Sequence, residues 1–254
     1  MNITSLGETR FPSPISHTVS DQARIPAVIV RDPAAPKRDE VLFELAGPRA
    51  KLFFDPAKTR AGIVTCGGLC PGLNNVIRAL FLELHHTYGV AEVLGFRGGY
   101  QGLDPARGPE PTVITPAFID QIHQHGGTIL GTSRGPVDTA AAVKLKDIGL
   151  LLRERIEAYF KEANIPIVMR YFDPSYLIRS SPANAADSVL CDLYARNAVH
   201  AAMAGKTGLV VGFLHDAFIH IPIEMLVLQK KQIDTDGLRW KAVLAVTGQP
   251  ARFE

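Results

Sequence analysis

The chain has 254 residues, 46% hydrophobic and 20% charged, with a formal charge of +2, so it holds enough apolar material for one large domain or two small ones. Its lysines and arginines are spread along the sequence, which excludes the basic stripe that nucleic acid or an anionic lipid surface requires; any anion is met locally. Three cysteines (Cys66, Cys70 and Cys191) without a signal peptide fit a reducing, cytoplasmic compartment better than a disulfide framework, and Cys66 and Cys70 lack the second pair a zinc site would need and read as buried thiols.

Residues 1–60 are rich in proline and poor in periodic runs, apart from Pro26 to Arg31 and Val41 to Leu45, and read as an N-terminal extension with short strands that packs over the rest. From Ala61 the rhythm changes. AGIVTC is a short apolar run, a glycine loop follows, and Asn74 to Tyr88 predicts a helix with Val76, Leu80 and Leu84 on one face. AEVLGF (Ala91 to Phe96) predicts a second strand, Pro116 opens a helix to about His125, and GTILGT predicts a third strand. Strands separated by helices of this length predict a parallel sheet, and residues 61–143 form one α/β lobe. In residues 144–254 the expected elements are an amphipathic helix over Leu145 to Lys161, a strand over Ile165 to Phe172, and a long helix from Ala185 to Ala204 closed by Gly205 and Gly208. A hairpin of Leu209 to Phe213 with Ala217 to Ile221 follows, and then two short helices. The most apolar stretch, Leu209 to Leu228, is broken by His215, Asp216, His220 and Glu224, so no membrane span is expected.

Two glycine-bearing loops carry the chemistry. TCGGLCPGLNNVIR (Thr65 to Arg78) joins a strand to a helix, so Gly67 and Gly68 either bare backbone N–H groups for a phosphate at the positive helix end or supply the positive φ of a tight connection. It is neither a dinucleotide fingerprint, since Leu69 stands where the second glycine is needed, nor a P-loop, which ends in Gly-Lys-Ser/Thr. GTSRG (Gly131 to Gly135) has two readings as well. Ser133 fits the G-x-S-x-G pattern of an α/β-hydrolase nucleophile, with His200, His215 or His220 as base. Alternatively the turn adds the Arg134 guanidinium and the bare backbone of Gly135 to the first loop, which suits a polyphosphate.

RAGIVTCGGLCPGLNNVIRAL, GFRGGYQGL, GGTILGTSRGP and PSYLIRSSPANAADSVLCDLYARNAVHAAMAGKTG, in this order, resemble the 6-phosphofructokinase family, most closely the ATP-dependent branch shared by plants, trypanosomatids and bacteria. The resemblance implies an α/β fold with a Rossmann-like parallel sheet and helices on both faces. It implies a cytoplasmic enzyme of glycolysis that moves the γ-phosphate of ATP to fructose 6-phosphate with Mg²⁺, as a homo-oligomer or in association with an intact homologue. By the same resemblance Gly67, Arg134 and Gly135 contact the nucleotide within residues 61–143. Tyr176 and Arg179 contact the sugar phosphate within residues 144–254, with Arg97 and Tyr100 as lesser candidates near the nucleotide. Arg179 has the forked geometry that binds phosphate, and Tyr176 the rigid hydroxyl.

Part of the family pattern is missing. The Gly-Gly-Asp-Gly segment that serves Mg²⁺, the Pro-Lys-Thr-Ile-Asp-Asn-Asp segment with the catalytic aspartate, and the Met-Gly-Arg segment for the sugar do not occur, which predicts an internal deletion joined between Thr139 and Lys144. No residue is therefore assigned as catalytic or metal-binding, and the fold is expected to be a truncated version with its central strands absent. Those strands belong beside Ile63 to Thr65, so their loss is expected to bare a pairing edge and apolar faces.

Overall fold

The computed structural model describes residues 3–30, 40–133, 148–172, 174–228 and 232–251. The N-terminal extension contributes β1 (Thr4–Ser5), β2 (Phe11–Pro12), β3 (Arg24–Pro26), β4 (Leu42–Leu45) and β5 (Lys51–Leu52). The α/β unit follows as β6 (Arg60–Val64), α1 (Leu73–Leu82), β7 (Glu92–Phe96), β8 (Thr112–Val113) and α2 (Pro116–Ile119). Beyond it come α3 (Ile148–Glu162), α4 (Ser175–Arg179), α5 (Ala185–Met203), β9 (Lys206–Thr207), β10 (Leu209–Leu214), β11 (Ala217–Pro222), α6 (Ile223–Leu228) and α7 (Leu238–Thr247).

β6 and β7 pair in parallel from Arg60 opposite Glu92 to Val64 opposite Phe96, with α1 as their crossover, and β8 adds an antiparallel edge. This β-α-β unit is the α/β character expected from the alternation of strands and helices. Within the sheet order β6-β7-β8, β6 has no second partner among the described residues, so its outer edge is bare where the absent strands were expected. α1 buries Asn74, Ile77 and Phe81, and the helix continues as a single wide turn over Glu83–Thr87 that buries Leu84. The buried stripe is thus rotated by about one residue from the Val76–Leu80–Leu84 face expected from periodicity. α1 packs chiefly on α5, and Ile77, Phe81, Val93, Leu130, Val199 and Met203 close the core between them.

The extension is not a separate cap. β4 pairs with β11, placing Glu44 opposite His220, and the antiparallel sheet runs β10-β11-β4-β3. The β10–β11 hairpin turns on His215 and Asp216, whose φ values of +50° and +62° are those of a two-residue type I′ turn. Between the two chain ends lies a buried charge network. One carboxylate oxygen of Glu44 accepts from Arg49 (2.9 Å), Lys206 (2.8 Å) and His220 Nδ1 (2.9 Å), while Asp21 pairs with Arg49 and Lys206 from the solvent side. Burial alone would raise the Glu44 pKa, but the hydrogen bonds from His220, Lys206 and Arg49 prevail and lower it to about 2.

Two expected strands do not form. GTILGT (127–132) is a turn and loop, because its polar groups bond to side chains and neighbouring loops instead of to a strand: Ile129 N–H donates to Asn74, and the Leu130 carbonyl accepts from Gly98. Ile165 to Phe172 is irregular and exposed, with Val168 87% and Phe172 77% accessible; an apolar strand segment with no sheet to join has no ladder to enter. The long helix, its closure at Gly205 (φ +72°), the hairpin and the last two short helices all form as expected. The junction expected between Thr139 and Lys144 lies outside the described residues.

Candidate functional site

β6 and β7 are parallel, so both deliver their following loops to the same sheet end, and a third loop, Thr128 to Ser133, is tied in between them. Thr65, at the end of β6, donates its one hydroxyl proton to the Gly131 carbonyl (2.6 Å). The Thr128 hydroxyl, 3.1 Å away, must then donate to Thr65. Farther along, Gly67 N–H donates to the Ser133 carbonyl (3.1 Å), and the Thr132 hydroxyl donates to the Gly67 carbonyl (2.9 Å). The loop after β7 joins the same knot: Gly98 N–H donates to the Leu130 carbonyl (2.8 Å), and the Ser133 hydroxyl donates to the Gly98 carbonyl (2.8 Å). At Gly99 a Cβ would lie 2.7 Å from the Ser133 hydroxyl and 2.8 Å from its backbone nitrogen, so this contact requires glycine.

Gly67 has φ +97° with open space where a Cβ would project, so its glycine serves conformation. Its own N–H is committed to Ser133, so Gly67 joins the two loops rather than offering a bare donor of its own. The N-terminus of α1 lies just beyond, with Gly72 as its N-cap and no acidic residue in its first turn. Arg134 and Gly135 lie outside the described residues; the described chain ends at Ser133, against Gly67.

The other edge of the site is built from α1. Asn74, buried, donates to the His125 carbonyl and accepts from Ile129 N–H, both at 2.9 Å, and Asn75 donates to the Ser188 hydroxyl (3.1 Å) at the start of α5. The residues after α4 arrive here as well: a side chain at Gly126 would collide with the Ser180 carbonyl, so residues 126 and 180 touch through backbone. Arg179 ends α4 immediately before this contact and is exposed, as are Arg97 and, at 64%, Tyr100 on the β7 side. Tyr176 is in α4, and its side chain lies outside those described. The asparagine pair and Thr65 escaped the sequence reading; the available signal was two polar residues on the helical stripe that should face the core.

The hydrolase arrangement does not assemble. Ser133 spends its hydroxyl on Gly98, His220 bonds Glu44, His215 lies in the hairpin turn against the Ala27 carbonyl, and His200 Nδ1 bonds the Tyr88 hydroxyl at 2.9 Å. Burial, with Arg196 and Arg49 nearby, lowers the His200 pKa to about 4. Cys66 and Cys70 are exposed and Cys191 half-buried, contrary to the expected buried thiols. Among the described residues no three His, Cys, Asp or Glu side chains gather as a metal site. No described helix is long and apolar enough to cross a membrane.

The fold and its knotted loops define an α/β protein with its candidate binding surface at the carboxyl ends of parallel strands. Residues 60–171 match the family model described as phosphofructokinase. An ATP-dependent 6-phosphofructokinase of Amycolatopsis methanolica is 28% identical, covering all of this chain and 95% of the relative. That of Borreliella burgdorferi is 26% identical, over 98% and 96%, and that of Trypanosoma brucei brucei 25% identical, over 82% and 76%. The first of these alignments runs over 439 positions against the 254 residues present, so the remaining positions have no counterpart in this chain. A solved phosphofructokinase of Pichia pastoris in the T-state aligns with 31% of this chain and 8% of its own, at 32% identity and a TM-score of 0.28.

Proposed function

We propose that this chain is a 6-phosphofructokinase relative that keeps parts of the ATP and fructose 6-phosphate sites and has lost the machinery of transfer. The observation that carries the reading is the Gly67–Ser133 junction, which holds the first glycine loop against the turn that continues into Arg134 and Gly135. There the positive end of α1 and the Arg134 guanidinium, with the Gly135 backbone, contact the polyphosphate of ATP. Arg179 forks onto the phosphate of fructose 6-phosphate, and Tyr176 donates to it.

Phosphoryl transfer needs a carboxylate to take the sugar hydroxyl proton and a metal to neutralise the phosphate oxygens. The segments that provide both in the family are absent from the sequence, and no step is assigned through Mg²⁺. A general base alone contributes about 10² to 10⁴ in rate, so turnover falls by at least that factor relative to intact relatives. The reading is that of a non-catalytic nucleotide-binding homologue that works in a homo-oligomer or beside an intact homologue.

The test is a coupled assay for fructose 1,6-bisphosphate with purified chain, ATP and Mg²⁺, beside ATP titration by calorimetry. Retained ATP binding with no turnover is expected. Turnover near that of intact relatives overturns the loss of catalysis, and absence of ATP binding overturns the nucleotide site.

A further inference from the structure

Among the described residues, the loop between Thr65 and Leu73 is held by backbone at its two ends: Gly67 donates to Ser133, and the Gly72 carbonyl accepts from Val76. Between these points stand Gly68, Leu69, Cys70 and Pro71, with Cys70 exposed. On the facing helix α5, Cys191 presses its sulfur against Gly72. A Cβ at Gly72 would sit 2.5 Å from Cys191 Sγ and 3.9 Å from its Cβ, which is why a glycine with φ +95° occupies the helix N-cap.

From this contact we infer that Cys70 and Cys191 form a reversible disulfide that pins the glycine loop to α5. Cys70 is two residues from Gly72, and two consecutive Cα–Cα steps of 3.80 Å reach at most about 7.6 Å. A disulfide needs Cα atoms about 4.4 to 6.8 Å apart, so closure requires Cys70 to swing about the Gly72 pivot toward Cys191. Cys66 is excluded as the partner of Cys191, because it precedes the Gly67–Ser133 bond that fixes its end of the loop. Both thiols are free, and burial, then the neighbouring Cys70, then Asp187 raise the Cys191 pKa.

The step balances with hydrogen peroxide as oxidant. The exposed Cys70 thiolate attacks one peroxide oxygen, the O–O bond breaks, and Cys70 becomes a sulfenic acid while the departing hydroxide takes a proton to leave as water. Cys191, deprotonated, attacks the Cys70 sulfur, the S–O bond breaks, and a second water leaves. Two thiols and one peroxide give one disulfide and two waters. Because the raised Cys191 pKa limits the second step, closure accelerates with rising pH.

The experiment treats the full chain with hydrogen peroxide, alkylates the remaining thiols and maps the non-reduced peptides by mass spectrometry. An intramolecular Cys70–Cys191 cross-link is expected, reversed by dithiothreitol, retained in Cys66→Ser and lost completely in Cys70→Ser and Cys191→Ser. Since Cys191 packs in the fold and its serine variant risks misfolding, the exposed Cys70→Ser variant is the decisive one, with its thermal transition confirming the fold. A Cys66–Cys70 link, a purely intermolecular product, or sulfinic acid at Cys70 beside a free Cys191 overturns the inference. None of these readouts depends on ATP binding, so the cross-link and the nucleotide site fail separately.

Discussion

Residues 60–133 and the second half of α5 supply most of the buried apolar side chains, whereas the described residues of 148–179 and 223–246 leave many of theirs in water. Phe81 and Ile77 are 2% and 0% accessible, while Leu152, Tyr159, Phe172 and Leu177 are 53%, 67%, 77% and 77%. Residues 148–179 carry more charge and less glycine than residues 60–133, and their apolar side chains also differ in how far they are covered. The first region has a facing helix and sheet; the second has few packed neighbours among the described residues. Exposed apolar area of this kind marks association surfaces, in line with the proposed oligomer or partnership with an intact homologue.

The largest test of this contrast is a pair of truncations. Phe81→Ala empties a closed core site and is expected to cost about 3–5 kcal/mol in urea unfolding. Leu152→Ala, at a site 53% accessible, is expected to stay within about 0.5 kcal/mol in the monomer and instead to shift sedimentation toward smaller species. Equal losses at the two sites would mean that α3 is covered in the isolated chain, and the contrast would dissolve.

Next comes the seam between the chain ends. Glu44→Gln keeps the shape but leaves Asp21, whose side chain is 67% accessible, as the remaining carboxylate paired with Arg49 and Lys206, and is expected to cost about 3 kcal/mol at neutral pH. The wild-type carboxyl titrates at about 2 when folded against a reference of 4.5, so the network's contribution is complete above pH 4.5 and is lost as pH falls toward 2. Acid unfolding followed by circular dichroism checks this: Glu44→Gln should lack that part of the acid limb, and an unchanged acid limb would show that the buried network does not tie the two ends.

The same contrast explains what was legible in the sequence. Helices α1 and α5, strands β6 and β7 and the hairpin were readable because each carries its own period, turn or cap: Gly205 closes α5, and His215-Asp216 turns the hairpin. GTILGT and Ile165 to Phe172 misled because β-rich apolar composition specifies a strand only when a neighbouring strand accepts its hydrogen bonds. For the site, the glycine loop and the GTSRG turn were visible as loops, and the family resemblance brought them together. The asparagine clasp on His125 and Ile129 was not visible, since its partners lie 51 and 55 residues away. Nor was the Glu44–His220 pairing, which joins residues 176 apart.

A smaller effect separates burial from charge inside the well-packed region. His200 is folded with a pKa of about 4 against 6.5 in the reference state, so the unfolded chain binds the proton first as pH falls. Its contribution is therefore complete above pH 6.5 and declines toward pH 4. His200→Asn, which keeps an acceptor for the Tyr88 hydroxyl, should flatten the change in urea midpoint between pH 6.5 and 4.5. A slope identical to wild type would assign that window to other groups.

The smallest expected change probes the exposed region from within. Arg153 bonds Glu157 at 2.9 Å one turn along α3, with the two side chains 46% and 41% accessible, so water and salt compete for both charges. Arg153→Ala is expected to change urea stability by less than about 0.5 kcal/mol, and salt should erase what remains. A loss several times larger that persists at high salt would require the pair to be shielded from solvent, which happens only if another surface lies on α3. That result would turn the bare face into an occupied one, and the contrast between the two regions would then describe the isolated chain alone.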